Sequence, residues 1–183
     1  MSTRSLSDTS YAVLGLVELC EPVTPYQLKQ VAQVSIFHFW TIPHTQLYTE
    51  CARLAGDGLL DEEREETGRR RRIYRLSKNG RAVLEAWRDD ADAGLYELRD
   101  PALLKLFCGA DPTALAEAML EKHRERLAGY ERIRDELELP ETVDLPNRKG
   151  IPQPVLLALE SGIGHEREYI RFWSRLRRDG DPA

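Results

Sequence analysis

The apolar and polar positions of the first sixty residues follow the spacing of three α-helices. The first segment, residues 11–20, is apolar on nearly every side, which predicts burial on more than one face. A second copy of the chain is a candidate to bury part of this surface. In the second segment, Thr24 and Gln27 have capping-box spacing and Pro25 takes the first helical position. A helix is therefore predicted to begin there and to end near Val34.

An apolar stripe opposite a polar face predicts the third helix. Leu47, Cys51 and Leu54 share the side that we expect to be buried. Thr41 is the expected N-cap and Gly58 suits the C-terminal cap. The polar face carries His44, Thr45, Gln46, Tyr48, Thr49 and Ala52. A face this short and nearly uncharged can approach the edges of DNA bases, and the same pattern also fits an ordinary solvated surface.

Three aromatic rings, Phe37, Phe39 and Trp40, lie between the second and third predicted helices. Such rings can stack on nucleic-acid bases, or they can fill the corner between two helices. We favour the corner, because no basic residues alternate with the rings.

The periodicity changes to that of a β-hairpin after the third helix. Residues 59–66 read as a strand that becomes polar towards its end, residues 67–68 as the turn, and residues 69–76 as the returning strand. Tyr74 and Leu76 share one face of the returning strand by the period of two.

The turn and the returning strand are rich in arginine. No acidic residue occurs between residues 67 and 84, where the basic residues are Arg69, Arg70, Arg71, Arg72, Arg75, Lys78 and Arg81. Four consecutive arginines on a strand project to both faces, so at least two can reach phosphates. Pairing with the acids of the opposite strand (Glu62, Glu63, Glu65 and Glu66) is the alternative role, and we expect it to leave the arginines at the tip free. Three helices followed by a basic hairpin favour nucleic-acid binding.

Helical spacing returns after the hairpin. Ser77 is the expected cap of a fourth helix, and the acidic stretch 89–94 suggests a break or hinge. A short helix is predicted over residues 102–108, followed by two long ones over residues 113–139 and 155–177 with a proline-rich connection between them. The fold class is thus mainly α with a small β-hairpin. We expect a winged helix-turn-helix DNA-binding domain over residues 1–90 and a helical dimerisation and effector domain over residues 91–183.

The two long helices carry apolar surfaces that need partners. Heptad spacing relates Leu120 to Leu127 and His123 to Tyr130, with polar interruptions that suit a small bundle or a dimer interface. The wide apolar surface of the last helix favours packing on the other long helix and on a second subunit. Five aromatic residues are candidates to line a pocket for a small aromatic effector, although a core or interface position is favoured for each: Trp87, Tyr130, Tyr169, Phe172 and Trp173.

Composition and charge restrict which classes of function and which cellular compartments fit this chain. A formal net charge of −5 confines any DNA contact to a small basic surface. No apolar run approaches the ~20 residues that cross a bilayer, and the polar start of the chain lacks a secretory signal. Three widely separated cysteines fit a reducing compartment, so we expect a cytoplasmic protein.

Patterns typical of catalysis or metal binding are lacking in the sequence. His123 and His165 lie on apolar faces, where an interior position is favoured over a ligand role. No glycine-rich phosphate loop and no nucleophile motif is found, so we expect neither an enzyme nor a bound cofactor or metal.

The ordered motifs of residues 6–90 resemble the PadR-like family of winged-helix transcriptional regulators. The segments that carry this resemblance are Tyr11–Leu19, Phe39–Trp40, His44–Tyr48, Leu54–Leu60, Gly68 and Arg72–Arg81, and Leu98–Gly109 resembles the start of the longer C-terminal domain of one branch. The resemblance implies a homodimer, usually a repressor, on a pseudo-palindromic double-stranded operator. It also implies that His44, Thr45, Gln46, Tyr48 and Thr49 read DNA and that the wing residues Arg69, Arg70, Arg71 and Arg72 bind it. Cys51 and Ala52 depart from the family pattern and leave the base preference open. The alternative is a winged-helix interaction module for an acidic protein partner.

Overall fold

The computed structural model of the protein describes residues 6–65, 71–138 and 152–179. These residues form seven α-helices, one short 3-10 helix and a two-stranded antiparallel hairpin. The chain divides into two compact units, residues 1–94 and residues 95–183. The predicted fold class is confirmed, and the assignment of DNA binding to one part and dimerisation to the other stays a prediction.

Four helices and the hairpin make up the N-terminal unit. In chain order they are α1 (Asp8–Cys20), α2 (Pro25–Gln33), α3 (His44–Gly56), β1 (Leu60–Arg64), β2 (Arg72–Leu76) and α4 (Lys78–Asp89), with the 3-10 helix Ile36–His38 between α2 and α3. A bridge between Val23 and Tyr74 joins β2 to the segment before α2.

Local side-chain chemistry sets the start of α2 as predicted. The Thr24 hydroxyl accepts a hydrogen bond from the Gln27 N–H at 3.3 Å, and the Gln27 side chain accepts one from the Thr24 N–H at 3.0 Å. The prediction that Thr41 caps α3 is wrong. Helix α3 begins directly after Pro43, so Thr41 lies two residues outside the cap position, and its hydroxyl donates to the carbonyl of Phe37 instead.

The core of the N-terminal unit lies where α3 faces α1. Leu47, Cys51 and Leu54 are fully buried, which confirms the predicted apolar face, and Leu14 and Val17 of α1 are buried in the same cluster. Each fully buried leucine stabilises the fold by about 1.5–3 kcal/mol relative to an exposed one. Helix α1 contacts α2, α3, α4 and β2 of its own unit, so its burial on several sides does not require a second copy of the chain.

The aromatic turn fills the corner only in part. Ile36 and Phe37 are partly buried and pack against the core. Phe39 is 66% exposed and Trp40 is 39% exposed, so the prediction that all three rings fill the corner is wrong for these two. The 3-10 helix ends at His38, directly before these two exposed residues.

Burial controls the ionisation of two of the three cysteines. It raises the pKa of the Cys51 thiol to about 12 and that of the Cys20 thiol to about 11. Cys108 is exposed, and all three cysteines are free thiols. Thiolate is the reactive form of cysteine, so Cys20 and Cys51 are inert packing residues at neutral pH.

The C-terminal unit is a short helix packed on a pair of long ones. These are α5 (Pro101–Phe107), α6 (Pro112–Glu138) and α7 (Gln153–Asp179). Trp173 of α7 is fully buried in a cluster with Ala102, Ala116 and Leu120. Of the heptad pairs predicted for α6, His123 and Tyr130 are both buried, whereas Leu120 is buried and Leu127 only half-buried.

A buried polar network crosses from α6 to α7. Nδ1 of His123 lies 2.5 Å from a carboxylate oxygen of Glu166, and both side chains are buried. Arg126 lies 3.5 Å from the other Glu166 oxygen. His123 thus has the interior position predicted for it, but only Nδ1 is paired, and its buried Nε2 has no hydrogen-bond partner among the described residues. His165, in contrast, is exposed and lies against the Tyr169 ring, so its predicted interior position is wrong.

Within the described ranges, no helix combines the length and the apolar character that crossing a membrane requires.

Candidate nucleic-acid interface

The polar face of α3 is exposed along its first two turns. His44, Thr45, Gln46, Tyr48 and Thr49 are all exposed, and the rings of His44 and Tyr48 stack at 5.5 Å. The structure therefore brings the five residues predicted on this helix together on one surface.

The first turn of α3 offers donors to an approaching anion. The first helical hydrogen bond runs from the Leu47 N–H to the carbonyl of Pro43 at 3.0 Å, and no side chain caps the helix. Unsatisfied N–H groups and the helix dipole favour negative charge at such an end. The Thr49 hydroxyl donates to the carbonyl of Thr45 at 2.8 Å, so its oxygen remains an acceptor towards solvent.

The two charged residues of α3 bond to each other and to residues outside its first two turns. Arg53 donates to Glu50 at 2.6 Å, to Asp57 at 2.7 Å and to the Ser10 hydroxyl at 3.0 Å. The hydrogen bond from Arg53 holds the pKa of the Glu50 carboxyl below its usual range. The first two turns of α3, residues 44–49, contain no acidic residue that would repel phosphate.

A glycine and a serine fix the hairpin to α3. Gly58 has a φ of +72°, and its N–H bonds to the carbonyl of Ala55 while the Leu59 N–H bonds to the carbonyl of Leu54. These two bonds form a Schellman motif, which confirms the predicted cap. The Ser77 hydroxyl donates to the carbonyl of Gly58 at 2.8 Å and accepts from the N–H of Gly80 at 3.0 Å. Ser77 thereby joins the start of α4 to the end of α3 and the base of the hairpin.

The register of the hairpin separates an inner from an outer face. Leu60 pairs with Leu76, Glu62 with Tyr74, and Arg64 with Arg72. Tyr74 and Leu76 are buried, as the period of two predicts, and the Tyr74 hydroxyl donates to Glu62 at 3.0 Å. These residues form the inner face that holds the hairpin on its unit.

The outer face places acids on one strand opposite arginines on the other. The period of two puts Asp61, Glu63 and Glu65 on the same side as Arg71, Ile73 and Arg75. Arg71 lies 3.8 Å from Glu65 and Arg75 lies 3.9 Å from Glu63.

The predicted wing residues have different environments. Arg72 lies on the inner side, 3.5 Å from Glu62, and Arg71 lies on the outer side beside Glu65. Both wing arginines that the structure describes, Arg71 and Arg72, therefore lie beside a glutamate. Arg69 and Arg70, with the predicted turn at residues 67–68, lie outside the described residues. Arg75 was not among the predicted site residues, although strand alternation from Arg71 places it on the same outer face.

No group of three or more histidine, cysteine, aspartate or glutamate side chains is placed to hold a metal ion in the parts of the chain that the structure describes.

Two family models match the sequence, one in each unit. Residues 13–86 match the transcriptional regulator PadR-like family, and residues 98–178 match the virulence activator alpha C-term family. No curated protein matches the chain.

Solved structures share the fold at low sequence identity. Bacillus subtilis PadR in complex with operator DNA is similar with a TM-score of 0.79 and 19% identity, over 96% of this chain and 100% of that chain. The same protein in complex with p-coumaric acid gives a TM-score of 0.72 at 19% identity, over 94% and 98% of the two chains. The Vibrio cholerae virulence activator AphA gives 0.64 at 20% identity, over 93% and 96%.

Proposed function

The chain belongs to the PadR-like family of transcriptional regulators through its residues 13–86, and we propose that it is a dimeric, sequence-specific DNA-binding regulator that acts in the cytoplasm. In this proposal two copies of α3 enter successive major grooves of a pseudo-palindromic operator, and the hairpins contact the flanking backbone. Repression follows from occupation of the operator. Family membership and the operator complex of Bacillus subtilis PadR support this proposal.

The observation that carries the proposal is the exposed polar face of α3 in the same unit as an arginine-bearing hairpin that follows that helix. Thr45, Gln46 and Tyr48 present small hydrogen-bonding groups and one ring, which suit base edges. Arg71 and Arg75 present guanidinium groups on the hairpin, which suit phosphates. The Schellman motif after α3 joins the two elements through backbone hydrogen bonds, so that a phosphate contact on the hairpin positions the helix over the bases.

The C-terminal unit is proposed to supply dimerisation and regulation. Three of its large apolar side chains are exposed and suit a contact with a second copy: Leu104 and Phe107 on α5 and Leu157 on α7. A small aromatic effector is proposed to act by a population shift, favouring a spacing of the two α3 helices that no longer matches the operator. The complex of Bacillus subtilis PadR with p-coumaric acid supports an effector of this chemical class.

Replacing Thr45 and Tyr48 by alanine is expected to change base preference more than general DNA affinity. Each lost base contact costs about 1–3 kcal/mol at the preferred sequence and nothing at unrelated sequences. Binding isotherms on a preferred duplex, single-mismatch duplexes and an unrelated duplex measure this difference. Tyr48→Phe is the matched variant, since it keeps the ring and its stack on His44 and removes only the hydroxyl. An equal loss of affinity on every duplex would contradict base reading by this face.

A further inference from the structure

The hairpin that carries the arginines has almost no net charge. The parts that the structure describes, residues 60–65 and 71–76, hold four acidic residues and four arginines. The full sequence from Leu60 to Leu76 holds five acidic residues and six arginines. Attraction of a protein to DNA of any sequence depends on the local surplus of positive charge. This hairpin therefore offers little surplus, although it offers many guanidinium groups.

The ion pairs on the two faces of the hairpin differ in how firmly they are held. On the inner face Glu62 accepts from the Tyr74 hydroxyl and from Arg64, both at 3.0 Å, and its side chain is 20% exposed. On the outer face the Arg71–Glu65 distance is 3.8 Å and the Arg75–Glu63 distance is 3.9 Å, and the side chains of Glu65 and Glu63 are 36% and 73% exposed. Exposed pairs at such distances contribute about 0–1 kcal/mol at most. Arg71 and Arg75 can therefore leave their glutamates at little cost.

The same glutamates oppose DNA unless the hairpin is held in a defined orientation. In a non-specific complex the hairpin has no fixed pose, so repulsion between its glutamates and the phosphates offsets part of the attraction of its arginines. On an operator, base contacts from α3 fix the hairpin on the backbone. Arg71 and Arg75 then exchange a glutamate for a phosphate, while the released side chains of Glu63 and Glu65 turn to solvent.

We propose that Glu63 and Glu65 are specificity-determining residues, which weaken binding to unrelated DNA more than binding to the operator by holding Arg75 and Arg71 in exchangeable ion pairs. This inference rests on the proposed DNA-binding function.

The test compares the full chain with its double variant Glu63→Gln, Glu65→Gln on two duplexes of equal length. One duplex is enriched by the chain from a random pool, and the other is a scramble of the same base composition. The matched control is Glu117→Gln, Glu121→Gln, which removes the same charge from two exposed positions on α6. Circular dichroism of all proteins confirms that the fold is retained.

The double variant is expected to bind the scrambled duplex about tenfold more tightly, since each like charge removed beside a phosphate is worth about two- to threefold and the freed arginines add to it. Binding to the enriched duplex is expected to tighten by about threefold or less. On the scrambled duplex, the slope of log affinity against log salt concentration (the salt slope) is expected to steepen by about one to two. The control is expected to leave the ratio of the two affinities unchanged.

Equal tightening on both duplexes, or no change on either, would overturn the role of Glu63 and Glu65 and leave the proposed function standing. Equal affinity of the unchanged chain for both duplexes would instead overturn the proposed function, and the inference with it.

Discussion

Replacing Arg69, Arg70, Arg71 and Arg72 together by alanine is expected to weaken binding to DNA of every sequence by about a hundredfold at moderate salt. The salt slope is expected to become shallower by about two to three, since each phosphate contact contributes about 0.9 to that slope. Loss of the arginines also leaves Glu62 and Glu65 without these partners beside the phosphates, so repulsion adds to the lost attraction. Fluorescence anisotropy across a salt series measures both quantities.

The matched control for the arginine variant removes four positive charges from exposed positions of the C-terminal unit. These are Lys105, Lys122, Arg124 and Arg175, each changed to alanine. Both variants then carry the same net charge, so a difference in DNA affinity between them cannot come from net charge alone. Unchanged affinity of the wing variant at low salt, or an equal loss in the control, would contradict the assignment of the hairpin to the DNA backbone.

Replacing Gly80 by alanine is expected to destabilise the N-terminal unit by about 3 kcal/mol, at the upper end of the cost of overpacking. An added Cβ would lie 2.1 Å from the carbonyl oxygen of Leu59 and 3.0 Å from a methyl group of Leu76. The Leu59 carbonyl accepts a hydrogen bond from Ser77 at 3.2 Å, so it cannot move without breaking the joint between α4 and the hairpin. Urea unfolding measures the free energy difference.

Gly15→Ala is the matched control for Gly80→Ala. Gly15 lies within α1 and has nothing within 4 Å of an added Cβ. Alanine is preferred over glycine inside a helix by about 0.5–1 kcal/mol, so this variant is expected to be slightly more stable than the unchanged protein. Equal unfolding free energies for the Gly80 variant and the unchanged protein would show that the close approach at Leu59 is not a constraint.

Features set by short-range chemistry were predictable from the sequence. The reciprocal bonds of Thr24 and Gln27 depend on a spacing of three residues, and the burial of Tyr74 and Leu76 depends on strand alternation. The exposed polar face of α3 followed in the same way from the apolar spacing of Leu47 on its opposite side.

Features set by contacts between distant segments were not predictable. Glu166 is a charged residue that is 2% exposed, because His123 and Arg126 from another helix surround its carboxylate. The close approach of Gly80 to Leu59 likewise requires the folded hairpin. Phe39 is exposed although its sequence context resembles a buried corner. Whether its ring is buried depends on which other segments pack over the end of the 3-10 helix, and the local sequence does not specify these.

The candidate site falls between these two cases. The run of arginines was visible in the sequence, and it suggested a strongly basic wing. Register decides which acid meets which arginine, and it places Glu65 beside Arg71 and Glu63 beside Arg75. Residues 60–76 hold five acidic residues and six arginines, so the hairpin is nearly charge-balanced. We therefore propose, rather than read from the sequence, that its contribution to DNA binding depends on how α3 orients it.

In the proposed function, two copies of the chain recognise a defined DNA sequence through α3. Selection of bound duplexes from a random pool by the unchanged full chain tests this claim most directly. We expect enrichment of an inverted repeat whose half-site centres are separated by about 10–10.5 base pairs or a multiple of that spacing. A bound pool in which no sequence is enriched would contradict it.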